Sequence, residues 1–141
     1  MSAVTLIADV RGYLEKSLKD SRFIVVAYLF GSCAKGKAGK ESDLDLAFLL
    51  DEKAYRSNRL AVLSKAYTTA GRMGMAFERK VDVTILNASS LEMAYEVVTT
   101  GCCVYELDVD RRMDYEVAIR GMYFDFRPFL EELRSRSLAR L

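Results

Sequence analysis

Three short apolar runs stand out along the chain. Phe23 to Phe30 (FIVVAYLF) and Leu44 to Leu50 (LDLAFLL) have the length and β-branched or large apolar content of buried strands. Val81 to Leu86 (VDVTIL) alternates instead, with Val81, Val83 and Ile85 on one side and Asp82 and Thr84 on the other. Between and around these runs the apolar spacing is helical. Leu6, Val10, Tyr13, Leu14 and Leu18 predict an amphipathic helix over residues 3–19. A second helix is predicted over residues 53–72, with Leu60, Leu63, Tyr67, Ala70 and Met73 on its inner face and Gly71 and Gly74 near its end. Met73, Met75 and Phe77 are read as core. Ser89-Ser90-Leu91-Glu92 fits a capping box, and Gly101 fits a C-terminal cap, for a helix facing inward through Leu91, Ala94, Tyr95 and Val98. Cys103 to Leu107 predicts a short strand. From about Asp108 a last helix is predicted, packing through Met113, Val117, Ile119 and Phe124 and kinked or interrupted at Pro128. Leu130, Leu133 and Leu138 continue an apolar stripe among Arg134, Arg136 and Arg140, suited either to a partner or to the chain's own domain.

This order predicts an α/β (α+β) fold: a small mixed β-sheet with helices packed mainly on one side. It suits a single domain over 1–141, with a C-terminal helical tail at about 108–141. With 141 residues and 51% hydrophobic content, the chain can bury a proper core. Its net charge of +1 gives little bulk attraction for nucleic acid or membrane. Three cysteines, two of them adjacent, do not make a disulfide framework, and Cys33 is read as a small packing residue. There is no signal peptide or long apolar span, so a cytoplasmic location is expected. Histidine is absent, which removes Ser-His-Asp chemistry and His metal sites. Acid–base work must fall to Asp, Glu, Lys, Tyr or water.

The chemistry is concentrated in Gly31 to Asp45 (GSCAKGKAGKESDLD), between the first two strands. Asp43 and Asp45 are two apart at the start of a strand and so project together, while Leu44, Leu46 and Phe48 face the core. Two carboxylates on one face repel unless a cation lies between them, and Mg²⁺ takes oxygen ligands of this kind together with substrate phosphates. The Gly31-Ser32 turn lets the backbone approach a phosphate. Lys35, Lys37 and Lys40 lie where they could neutralise it. If Val81 to Leu86 lies beside Leu44 to Leu50, Asp82 joins the pair as a third ligand; an acid in so apolar a strand is costly to bury without a cation.

The Gly-Ser, ten residues, Asp-x-Asp pattern, with its flanking strands and Asp82, resembles the nucleotidyltransferase superfamily of DNA polymerase β. The short chain looks most like its minimal (MNT) branch, of which the MntA-type antitoxins of HEPN/MNT toxin–antitoxin pairs are members. The tail from Gly101 through YFDF resembles the end of such proteins more weakly. The resemblance implies a metal-dependent transfer of AMP from ATP to a hydroxyl. It assigns Asp43, Asp45 and Asp82 to two Mg²⁺ ions and to catalysis, with Asp82 the candidate proton acceptor. Gly31, Ser32 and Lys35 fall to the nucleotide, although many relatives carry Arg at position 35, so a bidentate contact is lost. The acceptor it implies is a tyrosine of a HEPN-domain ribonuclease toxin. Two alternatives remain: a small-molecule modifier like the aminoglycoside nucleotidyltransferases, for which the chain has little spare length, and an antitoxin that acts by binding alone. RNA tailing fits the near-neutral charge poorly.

Overall fold

The computed structural model describes residues 3–31, 34 and 43–139. At its centre is a four-stranded sheet of β1 (Ile24–Phe30), β2 (Leu44–Leu50), β3 (Val81–Ile85) and β4 (Cys102–Glu106), in the order β3-β2-β1-β4. β1 runs antiparallel to both β2 and β4, and β2 pairs with β3 in parallel. A parallel pair needs a long crossover. The helices α2 (Glu52–Ser57) and α3 (Arg59–Phe77) provide it. The remaining helices are α1 (Ala3–Ser17), α4 (Leu91–Thr100) and α5 (Val109–Ala139).

The expected mixed sheet is present. Its larger apolar layer lies on one face, where Leu6, Val10 and Leu14 of α1 and Val62, Ala66 and Met73 of α3 cover Leu29, Leu44, Leu46 and Phe48. A smaller layer covers the other face, where Ala94, Val97 and Val98 of α4 and Ile119 of α5 meet Val25, Val26, Tyr28 and Ala47. An irregularity in register between Ile24 and Val26 lets Val25 and Val26 both join this second layer. Among the described residues, no helix is long and apolar enough to cross a membrane.

Several helix expectations are corrected. The segment expected as one helix over residues 53–72 is two, broken at Asn58, with Asp51 capping α2 by accepting from the Ala54 N–H at 3.0 Å. The buried face of α3 is Val62, Ala66, Ala70 and Met73, and Leu60 on the expected face is 83% exposed. Ala66 and Ala70 are fully or nearly fully buried, so the face that meets the sheet is the one with small side chains. Gly71 and Gly74 do not end α3, which continues to Phe77 and stops where Glu78 adopts a left-handed φ of 53°. Burial of Met73 and packing of Phe77 on the core offset the helix cost of the two glycines, whereas Met75, expected in the core, is 82% exposed. α4 is capped by Ser90, whose hydroxyl accepts from the Met93 N–H at 3.1 Å, so the Ser89–Glu92 box does not form. Gly101 does cap its end, donating to the Val97 carbonyl at 2.8 Å.

α5 is one continuous helix that includes Pro128, so the proline does not interrupt it. Met113, Val117 and Phe124 are exposed, and Ile119 alone of the four expected residues is buried. The face that α5 turns to the sheet is partly polar. The buried Tyr28 hydroxyl donates to Glu116 Oε2 at 2.7 Å, and Arg112 and Arg120 also pair with Glu116. Burial and the Glu116 carboxylate push the Tyr28 phenol far above its usual range, so it stays a neutral donor. At the helix start, Arg111 donates to Asp51 Oδ1 at 2.7 Å. Replacing Tyr28 by Phe is expected to cost about 1–2 kcal/mol in urea unfolding, because the partly buried Glu116 carboxylate loses one donor but keeps its arginines. An unchanged midpoint would show that this bond does not hold α5 to the sheet.

Candidate active site

The acids meet at one end of the sheet, where β1 finishes and β2 and β3 begin. Phe30 of β1 pairs with Asp45 of β2, and Asp45 pairs in turn with Asp82 of β3. Paired residues on neighbouring strands project to the same face, about 4.8 Å apart across the sheet. Asp45 shares its face of β2 with Ala47, towards the α4 and α5 layer, whereas Leu44, Leu46 and Phe48 lie in the α1 and α3 layer, as their alternation predicts. Asp43 stands just before β2. The Leu44 N–H donates to the Lys80 carbonyl at 2.9 Å, and this bond ties the starts of β2 and β3 together and fixes the register of the two acids.

Gly31 closes the site from the β1 side. Its φ of +73° is left-handed, and a Cβ built on it would collide with Oδ2 of Asp45. The turn after β1 therefore lies directly against the carboxylate, in a space only glycine leaves open.

Charge is crowded here. The Asp45 carboxyl is raised above its usual range, first by burial and then by the negative charges of Asp82 and Asp43. Lys80 Nζ approaches Asp82 Oδ1 at 3.7 Å, but the two side chains are 73% and 52% exposed, so this pair relieves little. Among the described residues, no three His, Cys, Asp or Glu side chains stand close enough to enclose an ion by themselves. The donor set still suits a hard divalent cation: the Asp45 and Asp82 carboxylates are adjacent, the Asp45 carboxyl is raised by burial and neighbouring negative charge, and the Gly31 turn lies against Asp45 Oδ2. Mg²⁺ is commonly held by one or two carboxylates plus substrate phosphates, not by a protein cage.

Ser32 and Lys35, together with Cys33, Lys37 and Lys40, lie outside the described residues. Lys80 was not singled out by sequence. The signal was there, since it lies two residues before Asp82 and so on the same side of the strand. A cavity of about 520 Å³ beside Asp82, between α3 and β3, was also missed.

Residues 13–110 match the family described as polymerase beta, nucleotidyltransferase. The protein adenylyltransferase MntA of Aphanizomenon flos-aquae (strain 2012/KM1/D3) is 32% identical over 110 residues, spanning 73% of this chain and 71% of that protein. A crystal structure of a toxin–antitoxin with AMP-PNP superposes with a TM-score of 0.67 at 22% identity, covering 91% of this chain and 98% of the other. A chain from the tri-AMPylated Shewanella oneidensis HEPN toxin in complex with MNT antitoxin gives a TM-score of 0.64 at 20% identity, covering 94% and 98%. At these identities the two structures establish a shared fold.

Proposed function

Because the chain belongs to the polymerase β nucleotidyltransferase family, we propose that it is a divalent-metal-dependent adenylyltransferase. It moves AMP from ATP to a tyrosine hydroxyl of a HEPN-domain toxin and so acts as that toxin's antitoxin. What carries this is the pair Asp45 and Asp82, side by side on β2 and β3 with Gly31 against Asp45. The relative named as a protein adenylyltransferase and the AMPylated toxin bound to an MNT antitoxin support the donor and the acceptor.

Asp43, Asp45 and Asp82 would hold the metal, in our reading two Mg²⁺ ions. When bound, the metal supplies positive charge that neutralises the triphosphate and lowers the pKa of the attacking hydroxyl. Gly31 and Ser32 hold the triphosphate through backbone N–H groups and the serine hydroxyl, and Lys35 adds a positive charge beside it. Asp82 accepts the proton of the tyrosine hydroxyl, a task that falls to a carboxylate in a chain without histidine. The phenol oxygen then forms a bond to the α-phosphorus while the bond from that phosphorus to the bridging oxygen breaks, and pyrophosphate leaves with that oxygen. Orientation of the two reactants by these groups accounts for much of the rate. We read residues 1–141 as one nucleotidyltransferase domain with a C-terminal helical tail, working in the cytoplasm where its ATP is found.

Labelled ATP tests the bond assignment. Label on the α-phosphorus is expected to become covalently attached to a co-purified HEPN-domain protein, and label on the γ-phosphorus is expected to leave as pyrophosphate. Label transferred from the γ-position would make the protein a kinase and overturn the assignment.

A further inference from the structure

Lys80 stands at the end of the sheet where the acids gather. Its carbonyl accepts from the Leu44 N–H at 2.9 Å, which extends the parallel ladder one residue before the pair of Leu44 with Val81. Alternation along β3 then puts the Lys80 side chain on the face of Asp82, opposite Val81 and Val83, which pack on the α1 and α3 layer. The ion pair agrees with this placement, with Lys80 Nζ 3.7 Å from Asp82 Oδ1. Both side chains are more than half exposed, so the pair does little for the fold. The ammonium is instead a movable positive charge on a four-carbon stem, rooted firmly beside the acids.

We propose that Lys80 takes part in the transfer itself: its ammonium donates a hydrogen bond to a non-bridging oxygen of the α-phosphoryl group as the phenol attacks. The inference rests on the adenylyltransferase reading given above. A hydroxyl that gives its proton to Asp82 lies about 3 Å from that carboxylate, and in a reactive arrangement the phosphorus lies about 3–3.5 Å from the hydroxyl oxygen. An ammonium 3.7 Å from the same carboxylate reaches the phosphoryl oxygens by turning its own stem, with no movement of the backbone. Lys80 leads into β3, whereas the Gly31 turn, assigned above to the triphosphate, follows β1 on the far side of β2. The side chain is therefore placed for the phosphoryl group in transfer and not for the departing pyrophosphate. Negative charge is spread over the equatorial oxygens of that group in the transition state, and positive charge aimed at them lowers the barrier. Lys80 gives up no proton. It stabilises charge while Asp82 takes the proton of the phenol.

The test pairs Lys80→Met, which removes the charge and keeps much of the length, with Lys80→Arg, which keeps the charge. Lys16→Met, at an exposed position of α1, is the control. Steady-state transfer of AMP to a HEPN-domain protein is measured with ATP and with the two diastereomers of ATP that carry sulfur at one non-bridging α-oxygen. Lys80→Met is expected to lower kcat with ATP about 10-fold or more, with the dissociation constant for ATP changed less than about 3-fold and the thermal melt unchanged. Lys80→Arg is expected to recover most of the rate, and Lys16→Met to behave as wild type. A hydrogen bond to one oxygen leaves a further mark. Sulfur at that oxygen slows the wild type, and Lys80→Met slows that diastereomer less than it slows ATP. A kcat within about 3-fold of wild type in Lys80→Met overturns the assignment. So does an equal loss with ATP and both diastereomers, which a merely structural role would produce. If the wild-type protein transfers no AMP although it binds ATP and Mg²⁺, the adenylyltransferase reading itself fails, and the role of Lys80 falls with it.

Discussion

Asp45→Asn is expected to lower AMP transfer by about 10³-fold or more and, in the same protein, to raise the stability of the metal-free fold. The first effect follows from the loss of an anionic oxygen at the metal site. Metal-borne stabilisation of a transferring phosphoryl group is worth several kcal/mol, and each ~1.4 kcal/mol is tenfold in rate. The second follows from the crowding. Asp45 is paired directly across from Asp82, and its carboxyl is raised by burial, Asp82 and Asp43. Like charges opposite each other in a sheet cost about 0.2–1 kcal/mol, which the neutral amide removes. The sign of the pH dependence is fixed. A carboxyl whose pKa is higher in the fold than in the unfolded chain binds more protons when folded, so its contribution falls as pH rises from the ordinary aspartate value through the raised one. The advantage of Asp45→Asn over wild type is therefore absent in acid and grows to a plateau above that window. Added Mg²⁺ reverses the order by stabilising only the wild type. Thermal melts of both proteins from acid to neutral pH, with and without Mg²⁺, check each part. A neutral-pH variant that is less stable than wild type without metal would show that Asp45 serves the fold and not the site.

Gly31→Ala carries the other large effect. An L-residue held in the left-handed region costs about 1–2 kcal/mol, and here the new methyl group also collides with Asp45 Oδ2. The carboxylate, the turn or both must shift. Because a displacement of about 1 Å at a reacting centre can cost 10²-fold, transfer is expected to fall about 100-fold alongside the loss of stability. Gly12→Ala serves as the control: it lies in α1, an added Cβ there meets nothing within 4 Å, and neutral or slightly improved stability is expected. Near-wild-type activity in Gly31→Ala would mean that the turn does not shape the site.

The strands and the acids were legible because a period of two is unambiguous. Asp43, Asp45 and Asp82 could be placed on strand faces from their neighbours alone, and the observed pairing of Asp45 with Asp82 follows the expected adjacency. Helix faces were harder. On α3, Ala70 and Met73 of the expected inner face are buried, but Leu60 and Tyr67 are exposed and Val62 and Ala66 take their place, because small residues let the helix sit close to the sheet. The cavity between α3 and β3 was hidden too, since Tyr67 and Met75 in its lining look like core in a helical projection. On α5 the inner contact is Tyr28 with Glu116, and apolar periodicity cannot report a polar contact between distant segments. Pro128 suggested an interruption that the helix does not show. The side chains of Ser32 and Lys35, expected at the nucleotide, lie outside the described residues.

The central claim is transfer of AMP to a protein hydroxyl, and intact-mass analysis of a co-expressed HEPN-domain protein tests it most directly. The protein is incubated with ATP and Mg²⁺, with an Asp43→Asn, Asp45→Asn double variant of the present chain alongside. The account predicts mass gains in AMP-sized steps with the wild type and none with the variant. No gain with the wild type, while a stable complex still forms, would contradict it and leave a protein that acts on its partner by binding alone.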